Sequence, residues 1–337
     1  MRQHTIGRRT LTATVAALAA LAAVTAAAFA QTTSPSDGTG VVIINTTLSY
    51  ERASAAGTGM VLTSSGEILT NNHVIRGATG IKVTVPSTGR SYTARVVGYD
   101  VADDVAVLQT VGASNLTTVT TSSKVAVGDA VTAVGNAGGT GTLSSATGAI
   151  AGLHRSIVVG DDQGGTAHLT GMIGVNAAVQ PGDSGGPLLN SAGQVIGMDT
   201  AGSTAYVDRS SPQAYAIPIT KALSIAKRIE AGSSSSRIHI GATPFLGIQV
   251  ASDTRDGGFS SAGAVVAAVV SGSPAASAGL YPGDVITAIN GHAVSNPSVI
   301  ATVILTKKPG VKVTISRIDR LGQHHSTKVT LASGPAQ

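Results

Sequence analysis

Short apolar runs broken by turn residues set the pattern of this chain from Val41 to about Ile219. The runs lie at 41–44, 59–62, 81–85, 105–108, 130–134, 157–159, 187–189 and 195–198, with Gly, Asn, Asp and Ser between them. Runs this short, rich in β-branched residues and closed by turn formers, predict strands of a barrel or sandwich. No regular alternation of strand and helix periods appears, which argues against a parallel α/β sheet.

The period changes at 220–232. Ala222, Ile225, Ala226 and Ile229 fall at i, i+3, i+4 and i+7 and predict one helical stripe, with Thr220 as N-cap and Gly232 closing the C-terminus. Ser233 to Ser236 read as a flexible linker, and a domain boundary is placed at 233–237. Residues 238–332 form a second unit with strand-like 263–270 and 311–318. Asn296-Pro297 opens a helix there, with Val299, Ile300, Val303 and Ile304 as its apolar face. The expectation is a mainly β protein: a large β domain over 41–232, then a small α+β domain.

The N-terminus reads differently. Arg2, Arg8 and Arg9 precede an apolar run from Leu11 to Phe29, and Ala28-Phe29-Ala30 has the small-x-small pattern of a cleavage site. Residues 1–30 are expected to be a signal peptide, with Gln31 the first mature residue and 31–40 a polar lead-in. Left uncleaved, the same run would be an anchor. It approaches the ~20 residues needed to span a bilayer, but Ala and Thr make it weakly hydrophobic. Arg8-Arg9 keeps twin-arginine export open beside the general route.

Composition narrows the chemistry. Of the net charge of +5, three charges are those arginines, so the remainder carries only +2, and no basic stripe with interleaved aromatics points to nucleic acid. Without cysteine there is no disulfide framework, Cys nucleophile or thiolate metal site. No phosphate-binding Gly-x4-Gly-Lys motif occurs. His324-His325 lacks carboxylate neighbours at ligand spacing and reads as a solvated turn. No cofactor is expected.

The strongest chemical signal is Gly182-Asp183-Ser184-Gly185-Gly186-Pro187. A nucleophilic Ser needs an accessible hydroxyl and free backbone N–H groups for the oxyanion, and flanking glycines permit the tight backbone this demands. The N–H groups of Gly182 and Ser184 are the expected donors, and Asp183 is counted with them in the oxyanion hole. His73, after the strand-like stretch 67–70, is the candidate base. Asp104, directly before the apolar run 105–108, is the candidate orienter of its Nδ1–H. Each residue alone has an ordinary explanation: a Gly-rich turn, an isolated histidine, a solvated turn aspartate with Asp100 and Asp103 nearby. The three in the order His, Asp, Ser within a β-rich chain point to acyl transfer. The rival, an α/β-hydrolase elbow at Gly182-x-Ser184-x-Gly186, needs a helix after the Ser; Pro187, Leu188 and Leu189 read as strand.

Together with Gly57-Thr58-Gly59, Leu69-Thr70-Asn71-Asn72-His73-Val74, Asp104-Val105-Ala106-Val107-Leu108 and Val134-Gly135-Asn136, these motifs resemble the HtrA/DegP family of serine proteases, most of all its secreted, single-PDZ actinobacterial members. The resemblance runs from about 40 to 332. It implies a chymotrypsin-like pair of six-stranded barrels with the active site between them, followed by a PDZ domain. It further implies endoproteolysis of unfolded or misfolded extracytoplasmic proteins, a holding function, and often a homotrimer. Phe245-Leu246-Gly247-Ile248 resembles the carboxylate-binding loop of PDZ domains, which captures peptide C-termini as an added strand. Gly283-Asp284-Val285-Ile286 and Asn290-Gly291 extend that likeness. The sequence departs from the family in having Asn176-Ala177-Ala178 where Asp precedes two alanines, and Asp183 where many members have Asn. Tyr50 is the only aromatic residue between 31 and 60, so the usual trimer contacts are not evident.

Ala178, six residues before the nucleophile, takes the place of the S1 floor in chymotrypsin-like folds. A small neutral floor implies small or medium apolar P1 residues such as Val, Ala or Leu, with Thr200 and Ala201 near the wall. The alternative to an active protease is a peptide-binding chaperone or pseudoprotease.

Overall fold

A computed structural model describes residues 38–49, 53–160, 166–200, 214–252 and 263–336. The expected signal segment, Tyr50 and Ala201 lie outside the described residues.

The first barrel is built from β1 (Val41–Leu48), β2 (Ala53–Val61), β3 (Glu67–Thr70), β4 (Gly80–Val85), β5 (Arg90–Asp100) and β6 (Val105–Thr110), with the one-turn helix α1 (Asn72–Ile75) between β3 and β4. Its order is β5-β4-β1-β2-β3-β6, and β6 returns to pair with β5. Closure leaves no unpaired edge in this ring. Val42, Ile44, Val61, Ile68, Val83, Tyr99, Ala106 and Leu108 form its core.

The second barrel closes as β10-β11-β12-β9-β8-β7. These strands are β7 (Ala130–Gly135), β8 (Ser144–Gly160), β9 (Thr166–Val175), β10 (Pro187–Asn190), β11 (Val195–Thr200) and β12 (Ala214–Pro218). Every apolar run of the sequence reading falls within or across one of these strands. The strand after Ser184, β10, excludes the hydrolase elbow, which requires a helix there.

Helix α2 (Ile219–Glu230) buries Ile219, Ala222, Ile225, Ala226 and Ile229, the expected stripe. That face joins Val105 and Val107 of the first barrel to Met198 and Ile217 of the second in one apolar cluster. The start differs from expectation: Pro218 occupies the N-cap position, and Thr220 lies inside the helix. At the other end Gly232 takes φ +68°. Its N–H bonds to Ile229 O and Ser233 N–H to Arg228 O, a Schellman closure.

Two further expectations are corrected here. The serines after α2 are a bonded turn: Ser235 N–H donates to Ile238 O, and Ser235 Oγ accepts from Arg237 and Ile238 N–H. The next strand, β13 (Ile238–Ile240), pairs with β5 and adds a seventh strand to the first sheet. Residues expected to open the second domain therefore complete the first. Backbone pairing carries no compositional mark, which is why a Ser-rich stretch read as linker.

The second domain contains β14 (Thr243–Phe245), β15 (Ile248–Ser252), β16 (Ala264–Val269), α3 (Pro274–Ser277), β17 (Val285–Ile289), β18 (His292–Ala293), α4 (Pro297–Leu305), β19 (Lys312–Ile318), β20 (His324–Thr330) and β21 (Ala332–Gly334). Its main sheet runs β15-β16-β17-β19-β20, while β14 pairs with β21. Asn296 caps α4 by accepting Ser298 N–H, and Ile300 and Ile304 enter the core with Val299 and Val303 beside it. Arg317 spans the fold as a buried strut, bonding Asp284 Oδ2 at 3.1 Å and Gly279 O at 2.9 Å. His324 and His325 lie in β20 rather than in a turn, and His325 Nε2 meets Asp319 Oδ2 at 2.7 Å across the hairpin.

Candidate active site

Strand β3 ends at Thr70, and α1 turns back immediately, so His73 projects from a single helical turn with its side chain about half exposed. Asp104 sits at the mouth of β6 with φ +54°, a left-handed conformation unusual for a residue with a Cβ. Its carboxylate grips the histidine at two points. Oδ2 lies 2.8 Å from His73 Nδ1, and Oδ1 accepts the His73 backbone N–H at 2.9 Å. Asn71 Nδ2 donates to the Asp104 carbonyl at 2.9 Å. Thr200 Oγ1 approaches Asp104 Oδ2 at 3.4 Å. The Thr200 side chain thus turns to the acid, a placement different from a wall of the S1 pocket.

The Ser184 loop is docked between the barrels. Ser184 O accepts Thr58 N–H at 2.9 Å, and Gly185 N–H donates to Asp199 O at 2.8 Å. Thr58 is the knot of this arrangement. Its hydroxyl donates to Gly182 O at 2.7 Å and accepts Asn136 N–H at 2.9 Å, while its carbonyl accepts Thr70 Oγ1. A Cβ added to Gly57 would meet Val74 Cγ1 at 2.6 Å and Ser184 O at 3.3 Å. The turn bearing His73 and the backbone of Ser184 therefore approach one common point. Neither the hydroxyl of Thr58 nor that of Thr70 was singled out from the sequence. Both residues entered the sequence reading only inside the motifs Gly57-Thr58-Gly59 and Leu69-Thr70-Asn71-Asn72-His73-Val74.

Gly182 has φ +99°, and an added Cβ would meet Asn136 O at 2.2 Å, so only glycine fits. Pro181 O accepts Gly138 N–H at 2.8 Å. Across a planar trans peptide the Gly182 N–H then points the opposite way. Asp183 is corrected as an oxyanion donor: its N–H is spent on Gln180 O at 3.0 Å, closing the tight turn that the glycines permit.

Two carboxyl groups lie buried around this loop. Asp183 Oδ2 accepts Gln180 N–H at 2.9 Å, while its Oδ1 finds no hydrogen-bond partner; burial pushes its pKa up to about 6. Both oxygens of Asp199 lack partners, and burial, with repulsion from Asp183, holds its pKa well above the usual carboxylate range. Ala178 lies exposed after β9, beside the buried Ala177. Among the described residues no cluster of His, Asp or Glu is arranged to hold a metal ion.

In the second domain the Phe245–Ile248 segment joins β14 to β15. Leu246 is buried, and Gly247 has φ +84° against Ser273. The carbonyls of Leu246 and Gly247 accept Ala275 and Val270 N–H. β15 is the outer strand of its sheet.

Residues 57–198 match the trypsin-like peptidase domain family and residues 244–331 the PDZ domain family. The chain is 32% identical over 308 residues to the serine protease PepD of Mycobacterium tuberculosis, covering 86% of this chain and 63% of that protein. It is 33% identical over 300 residues to a probable periplasmic serine endoprotease of DegP-like type from Chlamydia muridarum, covering 85% and 56%. The chain thus spans roughly three fifths of the length of these curated relatives. A solved structure of the HtrA-type protease AlgW with a tripeptide is 30% identical and covers 89% of this chain and 95% of that one, with a TM-score of 0.49.

Proposed function

Since the chain belongs to the HtrA family, a trypsin-like serine protease domain followed by a PDZ domain, we propose that it is an exported serine endopeptidase that cleaves unfolded proteins through His73, Asp104 and Ser184. Ser184 Oγ attacks the scissile carbonyl while His73 Nε2 takes its proton. The N–H groups of Gly182 and Ser184 hold the oxyanion, His73 returns the proton to the leaving amine, and water releases the acyl group. The observation that carries this reading is the two-point grip of Asp104 on His73, at 2.8 and 2.9 Å. It fixes the tautomer with the proton on Nδ1, leaves Nε2 as the base and stabilises the imidazolium that forms.

Ala178 supports a preference for Val, Ala or Leu at P1, since an uncharged small residue has nothing to pair with Lys or Arg. The position of β15 as the outermost strand of its sheet among the described residues, beside the Phe245–Ile248 loop, supports capture of peptide C-termini as an added strand. Periplasmic relatives and the N-terminal segment support export, with Gln31 as the mature N-terminus.

The test is digestion of a permanently unfolded protein and its native counterpart by the chain from Gln31 onward. The unfolded form is expected to be degraded selectively, and Ser184→Ala to abolish cleavage. Undiminished degradation by Ser184→Ala would defeat the mechanism. Protection of the client from aggregation with no cleavage by the unsubstituted chain would favour the chaperone alternative. A peptide library answers the P1 question; cleavage dominated by Lys or Arg would remove Ala178 as floor.

A further inference from the structure

The two segments that join the second domain to the barrels each end on a turn carrying a triad residue. On the acid side, Asp100 Oδ1 accepts the N–H groups of Ala102 and Asp103, both at 3.0 Å, which winds the turn ahead of Asp104. Asp103 then receives two cations from two elements. Lys221 Nζ of α2 lies 2.7 Å from its Oδ1, and Arg237 Nη2 lies 2.6 Å from its Oδ2. Arg237 immediately precedes β13, whose Ile238 pairs with Asp100. The next residue, Asp104, sits in a left-handed conformation that is strained for a residue with a Cβ and persists only where its surroundings enforce it.

On the base side, α1 is a single turn of Asn72–Ile75, too short to hold itself. Its end is met by the chain leaving the second domain. Gly77 N–H donates to Ala336 O at 2.9 Å, and Ala336 pairs in parallel with Arg76. Ala336 is 3% exposed, and its methyl belongs to the same apolar cluster as Val74 and Ile75, the neighbours of His73. The two segments are also bound to each other, because β14 pairs with β21 directly before the Phe245–Ile248 loop.

We propose that Arg237 with Lys221, and Ala336, are positioning residues: the pair sets the turn that holds Asp104, and Ala336 the turn that holds His73. The inference rests on the protease reading above and adds the contacts that hold the turns of its acid and its base. An isolated exposed ion pair contributes little. Here, however, one carboxylate is pulled by two cations in two directions, and it adjoins a strained residue whose orientation decides the reaction.

The test uses the full chain and a short chromogenic peptide too small to engage the second domain. Arg237→Ala, and separately Ala336→Asp, are expected to lower kcat about 5- to 20-fold, within the loss a misplaced catalytic group produces, with KM within twofold. The acidic limb of the kcat/KM profile should move to lower pH, because a less firmly held carboxylate stabilises the imidazolium less. Arg237→Lys should restore most of the rate, a rescue that loss of bulk structure would not give. A chain ending at Gly334 supplies a second base-side variant should Ala336→Asp fail to fold. Hydrogen exchange over 72–77 and 100–104 is read on the same proteins and does not depend on hydrolysis. Faster exchange in the variants supports the positioning role even where the chain cleaves nothing, a result that would count against the protease reading alone. Unchanged exchange, or rates and pH profiles within twofold of the unsubstituted chain, would overturn the proposal.

Discussion

Aspartate is treated in opposite ways on the two sides of this site. On the first-barrel side, Asp104 is surrounded by donors: the His73 ring and N–H, and Thr200 Oγ1. On the second-barrel side, Asp183 and Asp199 are as deeply buried but leave three carboxyl oxygens without a hydrogen bond. In the proposed mechanism Asp104 serves as an anion and sits among donors, whereas Asp183 and Asp199 lie where burial favours their neutral form. Sequence spacing does not distinguish these roles; the supply of donors does.

Substitution at each aspartate tests that contrast. Asp104→Asn should lower kcat by about 10⁴-fold with little change in melting temperature, since an amide favours the wrong imidazole tautomer. Comparable activity in Asp104→Asn would remove the acid from the mechanism. On the other side the readout is stability against pH. Asp183 has a folded pKa of about 6 against 3.8 for the ordinary group, so the folded state binds the extra proton. Its stabilisation is complete below about pH 4 and is lost as pH rises towards 6, by roughly 3 kcal/mol. Asp183→Asn keeps the bond from Gln180 N–H and should flatten that part of a urea-unfolding series, leaving the variant more stable than the parent at pH 7. Asp199→Asn should act with the same sign. A variant series whose pH slope between 4 and 6 matches the parent's would contradict both.

Smaller effects sharpen the comparison where the two sides meet. Thr58→Val preserves shape but removes the hydroxyl that links Gly182 O and Asn136 N–H. Leaving those groups unpaired costs roughly 1–3 kcal/mol, so kcat/KM should fall about 10- to 100-fold as the Ser184 loop relaxes. Thr200→Val removes only the 3.4 Å approach to Asp104 and should cost less than about tenfold in kcat. A larger loss at Thr200 than at Thr58 would reverse the assignment of which contact holds the site.

The sequence announced the parts of the site that depend on residue type. Glycine at 182 is demanded by φ +99° and the carbonyl of Asn136, and the apolar run 105–108 places Asp104 at a strand mouth. Helix α2 was legible because its stripe has a helical period. What stayed hidden depends on partners distant in the chain. The strand Ile238–Ile240 is too short to show a period, and its identity comes from β5. The hydroxyls of Thr58 and Thr200 matter because of what they touch. The polar β20 gave no apolar alternation, since its side chains are mostly exposed at a sheet edge, so its histidines looked like a turn. Ala336, a small residue after a Gly-Pro pair, carries no signal until it is seen against Ile75.

The convergence of residues 73, 104 and 184 into one acyl-transfer centre is tested most directly by a fluorophosphonate probe followed by peptide mapping. A single covalent adduct on Ser184, lost in His73→Ala while the variant keeps its melting temperature, is the predicted result. An adduct formed equally well without the histidine, or none at Ser184 in the folded parent chain, would contradict it.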